Sequence, residues 1–185
     1  MKIYVKYTIV AALLLLCSCH REPTFKFDFS DYDGEIEGMR NGQKWSKPKL
    51  KTTYMSYCSP LKGTIGLYFI TNTSFTDYLE WLGILHIPTK TGTYLIEKED
   101  FKRNCNKVSS FCYWAHYDQS DATYDVVELN QKPNQVTVTS VDTIANTIKG
   151  HFNVSLVVSY KYYKAFPDTL QVSGSFSSPI VSLYK

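Results

Sequence analysis

Apolar and polar residues alternate along most of this chain, and a period of two predicts β-strands. Ile65, Leu67 and Phe69, for example, fall on one face of a single segment. Successive side chains of a strand point to opposite faces of its sheet, so a half-buried strand shows this alternation. The same pattern recurs at 25–29, 111–117, 136–139, 152–160 and 170–176, and the segments 92–96 and 123–129 are predicted as further short strands.

The segment 79–87 is apolar on both of its predicted faces. One face carries Leu79, Trp81, Gly83, Leu85 and Ile87, and the other carries Leu82 and Ile84. A strand that is apolar on both faces is covered on both sides. We expect Pro88 to end this strand, because proline cannot donate a hydrogen bond to a neighbouring strand.

Asn41 and Gly42 predict a tight β-hairpin early in the chain. Both residue types tolerate a positive φ, which the two-residue turns of hairpins require. Trp45 follows this turn, and we expect its large apolar side chain to pack in the core.

These patterns together predict the fold class. Beyond the N-terminal segment no long stretch shows helical spacing, whereas β-branched and aromatic residues are abundant. About ten short strands with regularly spaced turns indicate an all-β protein, an antiparallel β-sandwich or β-barrel with little helix. We assign residues 25–185 to a single β-rich domain.

Residues 1–18 have the features of a bacterial lipoprotein signal peptide. A positively charged start precedes an apolar run that is too short to form a permanent membrane span. The run ends in Leu16-Cys17-Ser18-Cys19, which resembles a lipobox, and Cys19 fits the acceptor position because the small Ser18 precedes it. We therefore expect lipidation of Cys19, a tether over 19–24, and a membrane partner reached through this lipid. The expected location is the cell envelope, at the outer membrane.

The charge balance excludes one class of partner. The chain contains 20 Lys and Arg against 17 Asp and Glu, and Lys2 and Lys6 belong to the predicted signal. The rest of the chain is therefore almost neutral. Nucleic-acid-binding domains carry a clear basic excess, so we expect no nucleic acid as a partner.

Three cysteines follow Cys19, in a compartment that allows disulfides to form. Cys105 and Cys112 enclose only six residues, so they are candidates for a local bridge. Cys58 can pair equally well with either of them, and three pairings stay open with one cysteine left over in each. We expect no metal site, because no Cys-x-x-Cys follows the signal and only His116 lies near a cysteine.

The search for catalytic chemistry finds no motif. The chain has no nucleophile elbow, no phosphate-binding glycine loop and no His-Glu-x-x-His. We therefore assign no catalytic residue and expect neither a cofactor nor, on balance, an enzymatic activity. Asp118, Asp121 and Asp125 form an acidic stretch, but it lacks the glycine and the spacing of a calcium loop, so we interpret it as a solvated turn.

Two aromatic clusters are the candidate ligand contacts. Tyr160, Tyr162 and Tyr163 lie among lysines, whereas Tyr113, Trp114 and Tyr117 follow Cys112. Exposed aromatic side chains on a rigid scaffold stack on sugar rings or contact a protein partner. The alternative is that these side chains fill the core, and the lysine-flanked trio is the better candidate for exposure.

Short motifs recur along the domain, at 41–45, 92–95, 136–142, 148–152, 166–170 and 173–176. Together they resemble the motifs of a family of uncharacterised lipoproteins from Bacteroidota. The resemblance covers most of residues 35–181, and it implies a β-rich, lipid-anchored domain without supplying catalytic residues.

Two functions follow as expectations. The first is a non-catalytic binding or interaction domain held on the cell envelope, whose partner is a glycan or another envelope protein. The alternative is a glycan-binding or glycan-hydrolysing surface lipoprotein. A hydrolase requires two carboxyl groups about 5–10 Å apart in a cleft, whereas a binding domain requires an aromatic surface. We favour the first, because no pair of acids stands out in the sequence.

Overall fold

The computed structural model describes residues 30, 32–55, 63–72, 78–99, 107–116, 119–128 and 132–181. These residues form eleven strands and no helix, which confirms the all-β prediction. The predicted strand over 25–29 lies outside the described residues. The strands are β1 (Glu35–Arg40), β2 (Gln43–Lys44), β3 (Lys49–Tyr54), β4 (Thr64–Asn72), β5 (Tyr78–Pro88), β6 (Gly92–Lys98), β7 (Val108–His116), β8 (Gln119–Val126), β9 (Gln135–Asp142), β10 (Thr147–Lys161) and β11 (Thr169–Val181).

All eleven strands belong to one sheet, and this sheet closes on itself. The pairings run from β11 through β3, β4, β5, β7, β8 and β10 and return to β11, which gives a barrel-like shape. β6 and β9 form a second connection between β7 and β10. Most pairings are antiparallel as expected, but β6 pairs with β7 and β11 pairs with β3 in parallel, so the sheet is mixed.

The strand directions define two ends of the closed sheet. β1, β4, β6, β7 and β10 run toward one end, which we call the Arg40 end after the last residue of β1. β3, β5, β8, β9 and β11 run toward the opposite end. We call it the Ile144 end, after the turn over 143–146 that joins β9 to β10.

Apolar side chains fill the interior of the closed sheet. Burying one such side chain contributes about 1.5–3 kcal/mol, so this core is the main source of stability. The faces predicted from the alternation in β4, β10 and β11 are the ones that point inward. The fully buried members of the core include Leu50, Ile65, Leu67, Phe69, Leu82, Ile84, Ile87, Ile148, Leu156 and Leu170.

The predicted hairpin joins β1 to β2. Asn41 and Gly42 have φ values of 49° and 77°, and Arg40 pairs with Gln43 across the turn. The Asn41 Oδ1 accepts a hydrogen bond of 2.7 Å from the backbone N–H of Gln171, which attaches the hairpin to β11. Trp45 is buried as predicted, and its ring centroid lies 5.6 Å from that of Phe69.

A β-bulge in β5 corrects the predicted faces of this strand. Ile65 pairs with Ile87 but Leu67 pairs with Ile84, so β5 contains one extra residue there. His86 has a φ of 61° within this irregularity. Ile87 therefore joins the interior core, whereas Leu85 lies in a small separate cluster. Strict alternation placed Leu85 and Ile87 on one face, and this prediction is wrong because the bulge reverses the alternation.

Candidate functional site

A buried ion pair lies at the Arg40 end. The Glu80 side chain is only 1% exposed, whereas that of Arg40 is 26% exposed. The Arg40 Nε–H donates to Glu80 Oε1 (3.2 Å) and Oε2 (2.9 Å), and Arg40 Nη2 lies 2.7 Å from Oε2. The Trp114 Nε1–H also donates to Oε2, at 2.7 Å. One carboxylate is thus held by a guanidinium and an indole.

The surroundings of Glu80 act on its pKa in opposite directions. Burial raises the pKa of Glu80, and the Arg40 guanidinium and the Trp114 N–H limit this rise. The Arg40 guanidinium carbon also lies 5.3 Å from the centroid of the Trp114 ring, a cation–π distance. Arg40 therefore contacts both the buried acid and the aromatic ring beside it.

A column of aromatic rings extends from this ion pair to the surface. The centroids of Trp114 and Phe166 are 4.8 Å apart in an edge-to-face arrangement, and Tyr163 lies 5.8 Å from Phe166. Tyr162 completes the column, 4.7 Å from Tyr163 with the ring planes at 81°. Trp114 and Phe166 are buried, whereas Tyr162 and Tyr163 are 66% and 47% exposed.

The exposed tyrosines belong to the connection between β10 and β11, and we name residues 160–168 the tyrosine loop. Its backbone is attached at several points to the strands beneath. The N–H of Tyr162 donates to the Asp121 carbonyl (2.8 Å), and the Tyr124 hydroxyl donates to the Pro167 carbonyl (3.0 Å). Lys161 forms an ion pair with Asp168 and donates to the carbonyl of Phe166. The loop is therefore held in a defined conformation.

A second bulge explains why Tyr160 faces outward. Val158 pairs with Tyr124 but Tyr160 pairs with Thr123, so β10 contains an extra residue at Ser159. The strict alternation of 152–160 placed Tyr160 on the inner face, and the bulge turns it to the outer face. Tyr160 is 53% exposed, in keeping with its selection as a candidate contact.

The second predicted cluster lies elsewhere. Tyr113 is half-buried on the outer face of β7, where its ring stacks on those of Trp81 (6.0 Å) and Phe111 (5.8 Å). Trp114 points the opposite way and is 3% exposed, so the structure corrects its assignment as a surface contact: it supports the site from within. Tyr117 lies outside the described residues, as do Cys19, Cys58 and Cys105.

Cys112 is a free cysteine in this structure, and its two candidate partners, Cys58 and Cys105, lie outside the described residues. The side chain shares the inner face of β7 with Trp114 and is 3% exposed. Burial raises the pKa of the Cys112 thiol well above its ordinary value, and the nearby Glu80 adds to this rise. Its reactivity is therefore low.

The acidic stretch predicted as a solvated turn is described only in part. Asp121 is buried on β8 and Asp125 pairs with Lys98 at 2.6 Å, so these two residues do not belong to a solvated turn, and Asp118 lies outside the described residues. Among the described residues no three His, Cys, Asp or Glu side chains converge on a metal-sized space.

A surface groove of about 820 Å³ lies beside β1. Glu35 and Glu37 line it from consecutive outward positions of one strand, so they do not face each other across the groove. Asp33, Lys47 and Lys49 line it as well, so the lining is mixed in charge. Glu35 and Glu37 by themselves are therefore not the opposed carboxylate pair of a glycosidase.

Sequence reasoning missed Arg40, Glu80 and Phe166. One signal was available for Glu80, because a single acid between Leu79 and Trp81 in a strand that is apolar on both faces must be buried with a partner. The sequence does not predict which residue that partner is, since Arg40 lies on a strand that does not pair with β5.

Comparisons with protein-family models, curated proteins and solved structures found no match for this chain. In the part of the chain that the structure describes, no helix has the length and apolar character needed to cross a membrane.

Proposed function

We propose that this chain is a lipid-anchored cell-envelope protein that acts as a non-catalytic binding domain through its tyrosine loop. The observation that carries the proposal is the exposure of Tyr160, Tyr162 and Tyr163 on a backbone fixed by hydrogen bonds and by the buried Phe166. Large side chains that are already ordered lose little conformational entropy on binding. Exposed aromatic groups of this kind are typical of interaction surfaces.

The ligand class follows from the shape of the exposed rings. Tyr162 and Tyr163 are both exposed and their rings stand almost perpendicular, so a ligand at this corner meets two ring planes at right angles. A sugar ring stacks on such a face, and the tyrosine hydroxyls can bond its hydroxyl groups. We therefore place a glycan first and an envelope protein second. Hydrolysis is not part of the proposal, because two of the described acids near the loop, Asp168 and Glu80, are paired with Lys161 and Arg40.

The binding proposal is tested with the double variant Tyr160→Ala/Tyr162→Ala. These two side chains are the most exposed of the trio, so the fold should tolerate their loss. Affinity for a panel of purified envelope polysaccharides is measured by calorimetry. Loss of two stacking contacts should weaken binding at least about tenfold, which corresponds to about 1.4 kcal/mol.

The matched control is Tyr54→Ala, an exposed tyrosine at the opposite end of the closed sheet. Equal weakening by this variant, or unchanged affinity of the double variant, would contradict the proposal. If no polysaccharide binds, a photo-crosslinking residue at 162 should capture a defined envelope protein that the same residue at 54 does not. That result assigns the protein ligand.

The lipid anchor is tested by a pair of neighbouring substitutions. In a bacterial host supplied with labelled fatty acid, Cys19→Ser should abolish acylation, whereas Cys17→Ser should retain it. Acylation that survives Cys19→Ser, or is lost only in Cys17→Ser, would refute the assignment of Cys19.

A further inference from the structure

The turn between β9 and β10 presents an apolar side chain to solvent on a rigid support. Ile144 is 98% exposed, the highest value among the large hydrophobic side chains that the structure describes. The Asp142 Oδ1 accepts hydrogen bonds from the N–H groups of Ile144 (2.9 Å) and Ala145 (2.8 Å). Asn146 bonds in both directions with the backbone of Ile180, so the turn is also fastened to β11.

The residues around this turn have the character of a water–lipid interface. Tyr54 is partly exposed, and its hydroxyl donates to Asn146 Oδ1 at 3.2 Å. Tyrosine prefers the level of lipid headgroups, since its ring is apolar and its hydroxyl is polar. Lys90 and Lys149 are exposed at the same end, and lysine stems lie along apolar surfaces while their ammonium groups stay in water.

The chain enters the closed sheet at this same end. Glu35, the first residue of β1, pairs with Ser177 near the end of β11. The eleven residue steps from Cys19 to Ser30 span at most about 38 Å when fully extended. β10 has 15 residues, so it is about 50 Å long, and at the usual strand tilt of about 40° the sheet is about 38 Å high.

These lengths decide which end lies near an acylated Cys19. If the Arg40 end faced the membrane, the residues from Cys19 to Ser30 would have to reach along the whole height of the sheet at full extension, which is entropically unfavourable. With the Ile144 end facing the membrane, a much shorter span between Cys19 and Ser30 is sufficient.

We propose that the Ile144 end rests on the lipid surface, with Ile144 among the headgroups, and that the tyrosine loop points away from the membrane. This inference rests on the proposed lipid anchor. The contact requires no anionic lipid, because the acids at this end, Asp33, Glu35 and Asp142, offset the exposed Lys90 and Lys149. The bilayer thereby orients the binding surface toward ligands on the side away from it.

The test uses the acylated full-length protein on phosphatidylcholine vesicles. An azide-bearing residue replaces Lys90 in one variant and Tyr162 in another, and each is coupled to the same environment-sensitive dye. Quenching by nitroxide lipids should be several-fold stronger at 90 than at 162. In the variant labelled at 90, the further substitution Ile144→Ser should reduce this quenching, whereas Leu95→Ser, which alters an exposed side chain on β6, should not.

Each outcome bears on a different step. Equal quenching at 90 and 162, or stronger quenching at 162, overturns the orientation, and an unchanged signal after Ile144→Ser overturns the contact through Ile144. Failure of the protein to float with the vesicles overturns the anchor and the orientation together. Ligand binding by the tyrosine loop is measured in solution, so its result is independent of all three.

Discussion

Removal of Arg40 should show how much the stability of the fold depends on pairing the buried Glu80 carboxylate with a cation. In Arg40→Met the apolar stem is kept, but Glu80 retains only the Trp114 N–H as a donor. Breaking a buried ion pair from one side costs about 3–5 kcal/mol, because the remaining charge is neither paired nor hydrated. We expect a loss of this size at pH 8, measured by urea unfolding with tryptophan fluorescence.

The stability lost in Arg40→Met should depend on pH, and the pKa of Glu80 gives the direction of this dependence. Burial raises the pKa of Glu80 in the folded state, and loss of Arg40 removes a group that lowers it. An acid with a raised folded pKa stabilises the fold below its unfolded pKa, which for glutamate is about 4.5, and this contribution is lost as pH rises through the folded pKa. The loss of unfolding free energy in Arg40→Met should therefore be largest at pH 8. It should shrink toward pH 4.5, because Glu80 is then neutral in the folded chain.

Two further variants isolate the pair. Arg40→Met/Glu80→Gln should recover part of the loss, because no charge is then left buried. Lys98→Met is the matched control, since it removes the cation from the mostly exposed Lys98–Asp125 pair and should cost less than about 1 kcal/mol. A deficit below that of Lys98→Met, or one that does not change with pH, would refute the reasoning.

Three other predictions concern packing. Gly83→Ala places a Cβ 2.3 Å from Phe111 Cε1 and should lower the free energy of unfolding by about 1–3 kcal/mol. Adding Phe111→Leu should restore part of this loss, and no recovery in the double variant would argue against the clash. Phe166→Ala should lower the free energy of unfolding by about 3–5 kcal/mol. It should also weaken ligand binding more than the control Ile144→Ala does, when both affinities are measured on chains shown to be folded. Cys112 should alkylate far more slowly in the native chain than in urea, as followed by peptide mass spectrometry, and equal rates would contradict its burial.

The sequence predicted individual strands better than it predicted which strands pair with one another. The Asn41-Gly42 turn and the end of β5 at Pro88 follow from local backbone chemistry, so they were readable. The pairing of Glu35 with Ser177 and the two parallel pairings depend on residues far apart in the chain, and no local pattern encodes them. The bulge at His86 was also invisible, because nothing in an alternating stretch marks an inserted residue.

The site was predicted in part, for the same physical reason. The lysine-flanked tyrosines were selected as exposed, and the structure places them at the surface. Trp114 was a candidate contact as well, yet it points inward, because alternation alone does not say which face of β7 meets the core. The Arg40–Glu80 pair joins strands on different parts of the sheet, so only the fold brings its members together.

The pairings of β11 set the order in which this chain can fold. This strand joins β1, β3 and β10, so the sheet cannot close before it arrives. A chain that crosses a membrane N-terminus first exposes the edges of those three strands until then, and exposed edges promote aggregation. Pairing of segments so distant in sequence is also slow. The export that we propose should therefore require a holding chaperone, and a mutation that delays β11 should reduce the yield of the protein more than its final stability.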